Sequence, residues 1–202
     1  MAAIASASIA MLVQFLPQDV SSTAWSCAVL AFRHEPLLAA LSASSLPLLL
    51  DFQERNLANT SWAFSRMAIM DLPLFNAIAA ASIPQISDFT AQSLANTAWA
   101  FASIAFSHLP LLYALSKASI ATMAQQSSCQ DVANTAWSCA KLQFHDPPFL
   151  QAIAASSIST ISLFAPQNVS STAWAFAALG VRDDPLLEAI ASEAIARIAH
   201  FQ

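Results

Sequence analysis

Leu94-Ala95-Asn96-Thr97-Ala98-Trp99-Ala100-Phe101-Ala102 decides the fold, because four other stretches of the chain repeat its pattern. The tryptophans at the centre of these stretches are Trp25, Trp62, Trp99, Trp137 and Trp174. They are all the tryptophans of the chain and stand 37, 37, 38 and 37 residues apart. A fixed period of this size marks a solenoid of one repeated supersecondary unit, which buries its apolar face only by stacking on its neighbours. Eleven residues after each Trp comes a proline, at Pro36, Pro73, Pro110, Pro148 and Pro185. Proline suits a first helical position, where its missing N–H has no intrahelical partner anyway. Each proline therefore reads as the start of a first helix, and each Trp as the middle of a second.

Composition agrees. Ala, Leu and Ser dominate and Gly180 is the single glycine, which leaves little material for β-turns and favours helix. The expected fold is all-α, an α-solenoid of about five two-helix repeats of 37–38 residues with about eleven helices. It forms one array over 1–202, with units near 1–35, 36–72, 73–109, 110–147 and 148–184 and a terminal half-unit at 185–202. Asp71, Asp146 and Asp183 precede the prolines and can cap the first helices. In the second unit that helix is expected over 36–52, with Leu37, Leu38, Leu41, Leu46, Leu49 and Phe52 on its apolar face. The same columns run through the array, from Ile4 and Ile9 to Ile195, Ile198 and Phe201. Pro47 and Pro84 fall inside first helices and should kink or break them. Pro17 and Pro166 open second helices, with Thr90 and Ser128 as caps elsewhere. The extra residue of the 38-residue interval falls in the turn at 127–130, beside Gln126, which replaces the usual Phe. Glu188, Glu193 and Arg197 make the last helix more polar, as a terminal cap would be.

Several function classes fall away. The stretch 147–181 carries no charged side chain, but Gln151, Gln167, Asn168 and Pro166 interrupt it and a span would cross a repeat boundary. No membrane segment is expected. Met1 to Ala10 has no Arg or Lys, so no transit peptide is visible. Cys27 and Cys139 stand two residues after a Trp, where other units have Phe64, Phe101 and Phe176; they read as core, not ligands. No disulfide framework, metal site or cofactor is expected, and His34, His108, His145 and His200 lack partners at ligand spacing. Without a phosphate loop, nucleophile elbow or paired acids, neither an enzyme nor a small-molecule substrate is expected.

The informative surface is expected on the second helix, at columns −3, +1, +4 and +8 from each Trp. Column −3 is always Asn or Ser, while +4 and +8 vary. A constant polar position beside variable ones suits a modular reader of single-stranded RNA. The candidate RNA-binding residues are Ser22, Arg33, Asn59, Arg66, Asn96, Ser103, Asn134, Lys141, His145, Ser171 and Arg182. The bland alternative is a solvated face. Net charge is −5 with only seven Lys and Arg, yet Arg33, Arg66, Lys141 and Arg182 fall in the stripe, so a local basic track survives the acidic total. The five tryptophans can stack on bases, but a Trp recurring amid Ala, Phe and Leu reads as structural core. Thr23, Thr60, Thr97, Thr135 and Thr172, two residues before each Trp, are expected to bond a neighbouring helix or a carbonyl of the preceding turn.

Phe15-Leu-Pro-Gln-Asp-Val-Ser-Ser-Thr-Ala-Trp25, Phe164-Ala-Pro-Gln-Asn-Val-Ser-Ser-Thr-Ala-Trp174, Leu94-Ala-Asn-Thr-Ala-Trp-Ala-Phe-Ala102 and Leu179-Gly-Val-Arg-Asp-Asp-Pro-Leu-Leu187 resemble the octotricopeptide repeat. That family has paired-helix units with a PQ-x-L-A-N-x-x-W-A-x-A core, similar to the helical arrays of RAP-domain and FAST-kinase-like organellar proteins. Arg55 replaces the Gln of its column, Ser22 and Ser171 replace Asn, and the 202 residues themselves carry no RAP domain. The resemblance implies a single-stranded RNA-binding solenoid in chloroplast or mitochondrial RNA processing, stability or translation. A protein–protein interaction scaffold of the same fold, gripping a protein or peptide partner, is the alternative. The start at mid-unit reads as a fragment or an incomplete first repeat.

Overall fold

The computed structural model describes residues 2–199, which alternate two kinds of helix. In chain order they are α1 (Ala2–Met11), α2 (Pro17–Val29), α3 (Glu35–Leu48), α4 (Glu54–Arg66), α5 (Leu72–Ser82) and α6 (Ala91–Ser103). There follow α7 (Leu109–Gln126), α8 (Cys129–Lys141), α9 (Pro147–Thr160), α10 (Pro166–Ala178) and α11 (Asp184–Ala199). Among the described residues there are eleven α-helices, three short 3₁₀ segments and no strand, the α-solenoid the period demanded. His200 and Phe201 lie outside the described residues, as do the side chains of Ile4, Gln126 and Ile198.

The second helices are near copies. Each spans 13 residues, from eight before its Trp to four after. Four of the five starts are closed by side chains: Asp19, Asn56 and Asp131 accept the amides of Leu16, Gln53 and Ser128, and Thr90 accepts that of Ser93. Their ends share one device. Ala31, Ala68, Ala105, Gln143 and Gly180, six residues after each Trp, have φ of 50, 53, 55, 50 and 66°. The next amide reaches back to the carbonyl five residues earlier, as in Phe32 to Cys27, Ile69 to Phe64 and Phe106 to Phe101 at 2.8, 2.9 and 2.9 Å. This is a Schellman motif. Its customary apolar contact is present where Phe101 stacks on Phe106, with centroids 5.8 Å apart.

First helices begin on a polar cap. Asp71, Asp146 and Asp183 accept the amides of Leu74, Phe149 and Leu186, and His34 and His108 do the same for Leu37 and Leu111 through Nδ1. The recurrent proline therefore sits at the second helical position, one later than expected; that N–H is also without an intrahelical acceptor. In the second unit the helix runs Glu35–Leu48, stopping just after Pro47 instead of continuing to residue 52. At Pro84 the chain passes into a 3₁₀ segment (Ile83–Asp88) with Gln85 off helical geometry, while α7, with no such proline, continues for 18 residues.

Second helices pack side by side in one layer and first helices in the other. Small residues set the spacing. Ala24, Ser61, Ala98 and Ala136 (column −1), Ala58, Ala95 and Ala133 (−4), and Ala63, Ala100, Ser138 and Ala175 (+1) are all buried between successive second helices. Leu, Ile and Phe fill the space between first helices and across the layers, with Phe75 edge-on to Phe101 at 5.1 Å. The second-helix layer is the more tightly packed of the two. Two expectations shift. Leu46 and Ile120 are 41% and 38% exposed, because the buried face runs through Ser45, Ser82, Ser119 and Ser157 one position earlier. The threonine column is buried from Thr60 onward, but the hydroxyls of Thr60, Thr97 and Thr172 have no hydrogen-bond partner, contrary to the expected bonds.

Candidate functional site

The open face of the second-helix layer carries four columns, −7, −3, 0 and +4 from Trp, which steps of four, three and four residues align on one side of a helix. Column −7 is Gln18, Arg55, Gln92, Gln130 and Gln167, exposed in every unit. Column −3 holds Ser22, Asn59, Asn96, Asn134 and Ser171, and column +4 holds Val29, Arg66, Ser103, Lys141 and Ala178. Between them stand the tryptophans. Placing Trp25, Trp62, Trp99, Trp137 and Trp174 wholly in the core is corrected here: Trp25 and Trp174 are 45% and 47% exposed, and the middle three are partly buried, with Trp62 packed against the core. Columns −5 and +2 are the core, with Leu57, Phe64, Leu94 and Phe101 at 2% or less. On a helix these columns lie roughly 220° and 200° around from the Trp. That angle was the available signal, and it puts the ring on the surface.

The face is built as a comb. Gln18 Nε2 donates to Ser22 Oγ, and Gln130 Nε2 to Asn134 Oδ1, each at 2.8 Å. Asn56, buried at the N-terminus of α4, donates to Ser21 Oγ at 2.9 Å and Gln18 Oε1 at 3.2 Å, which locks one unit's comb to the next. A groove of about 760 Å³ crosses four second helices and is lined by Trp25, Arg55, Asn59, Gln92, Asn96, Gln130 and Asn134, and also by the acid Asp131. The rings of Trp99 and Trp137 stack with centroids 6.2 Å apart and planes 26° apart. Lys141 Nζ lies over the Trp137 ring, 5.8 Å from its centroid.

The expected stripe is partly redrawn. Column +1 is closed off between helices, as at Ala63, Ala100, Ser138 and Ala175. Column +8 is not helical at all, because every second helix ends at +4. Arg33 and Arg182 therefore sit in loops, each facing an acid two residues on: Arg33 to Glu35 at 3.9 Å and Arg182 to Asp184 at 2.6 Å. His145 contacts the Gln143 carbonyl at 3.0 Å and the Leu179 carbonyl of the next unit at 3.1 Å, a structural bridge between loops. The face does bring together Ser22, Asn59, Asn96, Asn134 and Ser171 with Arg66, Ser103 and Lys141, although the Ser103 hydroxyl donates to the Ala100 carbonyl. Arg55 and the glutamines of column −7 were missed. Their polarity in all five units, four residues before column −3, was the signal.

Burial raises the Cys27 thiol and pushes Cys139 up to about 12, with the Asp146 carboxylate adding to the effect there. Cys27, Cys129 and Cys139 are free thiols. Among the described residues no three His, Cys, Asp or Glu side chains are grouped to hold a metal, and no helix is long and apolar enough to cross a membrane. A family model described as RNA-editing substrate-binding complex 6 protein matches residues 1–185. No curated protein matches the chain.

Proposed function

The chain belongs to the RNA-editing substrate-binding complex 6 protein family, and from that premise we propose that it binds single-stranded RNA as a non-catalytic helical-repeat protein. In this reading it works in organellar RNA processing, alongside protein partners of an RNA-editing assembly. The observation that carries it is the second-helix face, where side-chain amides and indole rings recur in register on five adjacent helices and Arg55, Arg66 and Lys141 add cations on two of them. Asn and Gln present donor and acceptor pairs suited to base edges, and cations suit phosphate. Arg55, Arg66 and Lys141 have no acidic partner among the described ion pairs, whereas Arg33 and Arg182 do. The octotricopeptide-like core adds the idea of one unit per base, read through columns −7, −3 and +4.

Three such cations set the expected strength. Each phosphate contacted contributes a slope of about −0.7 on single strands, so log affinity should fall with log salt at about −2. Fluorescence anisotropy of short labelled random RNA at about 50 and 200 mM salt tests this. Salt-sensitive binding supports the reading, and no binding at the lower salt overturns it. A protein scaffold is the second reading, favoured by Val13, Leu50 and Leu163, which are 92%, 93% and 74% exposed at the ends of first helices.

A further inference from the structure

We propose that the tryptophan row is a stacking platform for unpaired bases, an inference that rests on the RNA-binding reading above. Indoles left nearly half in water at Trp25 and Trp174, and partly exposed at the three positions between, are unusual packing, because the same helices bury Phe64, Phe101 and Phe176 completely or nearly so. The flanks of the row identify its occupant. On one side stand the amides of columns −7 and −3, and on the other Arg66 and Lys141, with Lys141 already over a ring. A nucleotide needs all three chemistries at once: a flat apolar surface, hydrogen-bonding groups for base edges and a cation for phosphate. An apolar peptide helix would strand the amide comb without water or partners.

The rings are not equivalent. Stacked bases are about 3.4 Å apart, so a base held between two rings needs about 6.8 Å. Trp99 and Trp137, at 6.2 Å, fall short and make a closed step. Trp25 and Trp174, the most exposed, carry the open ring faces on which bases stack first.

Because every tryptophan of the chain stands in this row, tryptophan emission, excited selectively over Tyr113, reports on this face alone. The experiment titrates the full chain with labelled oligoadenylate and with an abasic ribose-phosphate of the same length, recording anisotropy and tryptophan emission together. Trp25→Leu, Trp174→Leu, Trp25→Phe and Trp174→Phe are compared, with thermal melts to establish that each folds. The expected result is quenching by oligoadenylate and weak, unquenched binding of the abasic strand. Each Leu variant should lose roughly 5- to 100-fold in affinity while Phe largely restores it. Oligoadenylate binding with unchanged emission, with the Leu variants as tight as the parent, overturns the platform and leaves the RNA reading standing. Abasic and base-bearing strands binding equally well overturn it too. No anisotropy change for any strand at low salt removes the RNA reading itself, and the platform with it.

Discussion

Ser42 donates its hydroxyl to Asp71 Oδ2 at 2.5 Å across the joint between two units, while Asp71 Oδ1 accepts the Leu74 amide at 3.1 Å. One carboxylate thus caps its own helix and ties it to the previous one. Ser116 and Asp146 repeat the pair. Where His108 is the cap, Ala79 stands in the serine's place, and where Asp183 is the cap, Ala154 does. Asp71→Ala should destabilise by about 2 kcal/mol, the cap and the inter-unit bond together, and Ser42→Ala by about 1. A double-mutant cycle in urea should return a coupling of about 1 kcal/mol. Strict additivity would show that the bond contributes nothing.

The five left-handed turns yield a second prediction. Four of them are occupied by Ala or Gln, which pay a steric penalty in this conformation that Gly180 avoids. Ala105→Gly should raise stability by roughly 0.5–1 kcal/mol, and Gly180→Ala should lower it by about 1 even though nothing lies within 4 Å of the added methyl. Thermal melts of the two variants should move in opposite directions. Movement in the same direction would contradict the strain argument.

Period, helix count and caps were legible because they rest on local rules: Trp25 to Trp174 mark the repeat, and Asp71 or Thr90 mark a helix start. The orientation of the rings was harder. Trp99 stands between Ala98 and Ala100, and small neighbours look the same whether they flank a core ring or let adjacent helices close up. They do the latter here, and the core falls to Leu94 and Phe101 on the far side. Column +8 was misplaced for a different reason. The turn at Ala31 or Ala68 ends each second helix, yet Ala carries no sequence mark of a left-handed conformation as Gly180 does. Ion pairs such as Arg182 with Asp184 depend on that turn, so they too lay beyond column arithmetic.

Thr97 offers a test of the unpaired hydroxyls. Its side chain is fully buried and its Oγ1 has no partner. Thr97→Val keeps the shape and removes the group, so stability should rise by about 1 kcal/mol. A loss of that size in chemical denaturation would mean that the hydroxyl is in fact hydrogen-bonded.

Alkaline pH should expose the Cys139 thiol. An ordinary thiol ionises near 8.5, and burial pushes Cys139 up to about 12. The folded state thus holds this proton more tightly than the unfolded one. The stability it contributes is fully present below about pH 8.5 and is lost as pH rises toward about 12. Cys139→Val should therefore flatten the decline of melting temperature across that window relative to the parent. Parallel curves for the two proteins would sink the argument.

The cations of the second-helix face and those of the loops should behave as two classes. Arg66 and Lys141 close the second helices beside the rings, whereas Arg33 and Arg182 sit in loops against Glu35 and Asp184. Removing a cation that meets phosphate weakens binding across sequences and makes the salt slope shallower by nearly one phosphate's worth. Arg66→Ala and Lys141→Ala should do this, each reducing affinity by roughly 3- to 10-fold at low salt. Arg33→Ala and Arg182→Ala should change affinity by less than about 2-fold, since each arginine is already matched by an acid. Anisotropy titrations over a salt series separate the two classes. Equal losses for all four would return the basic track to the loops and take the second-helix face out of the binding site.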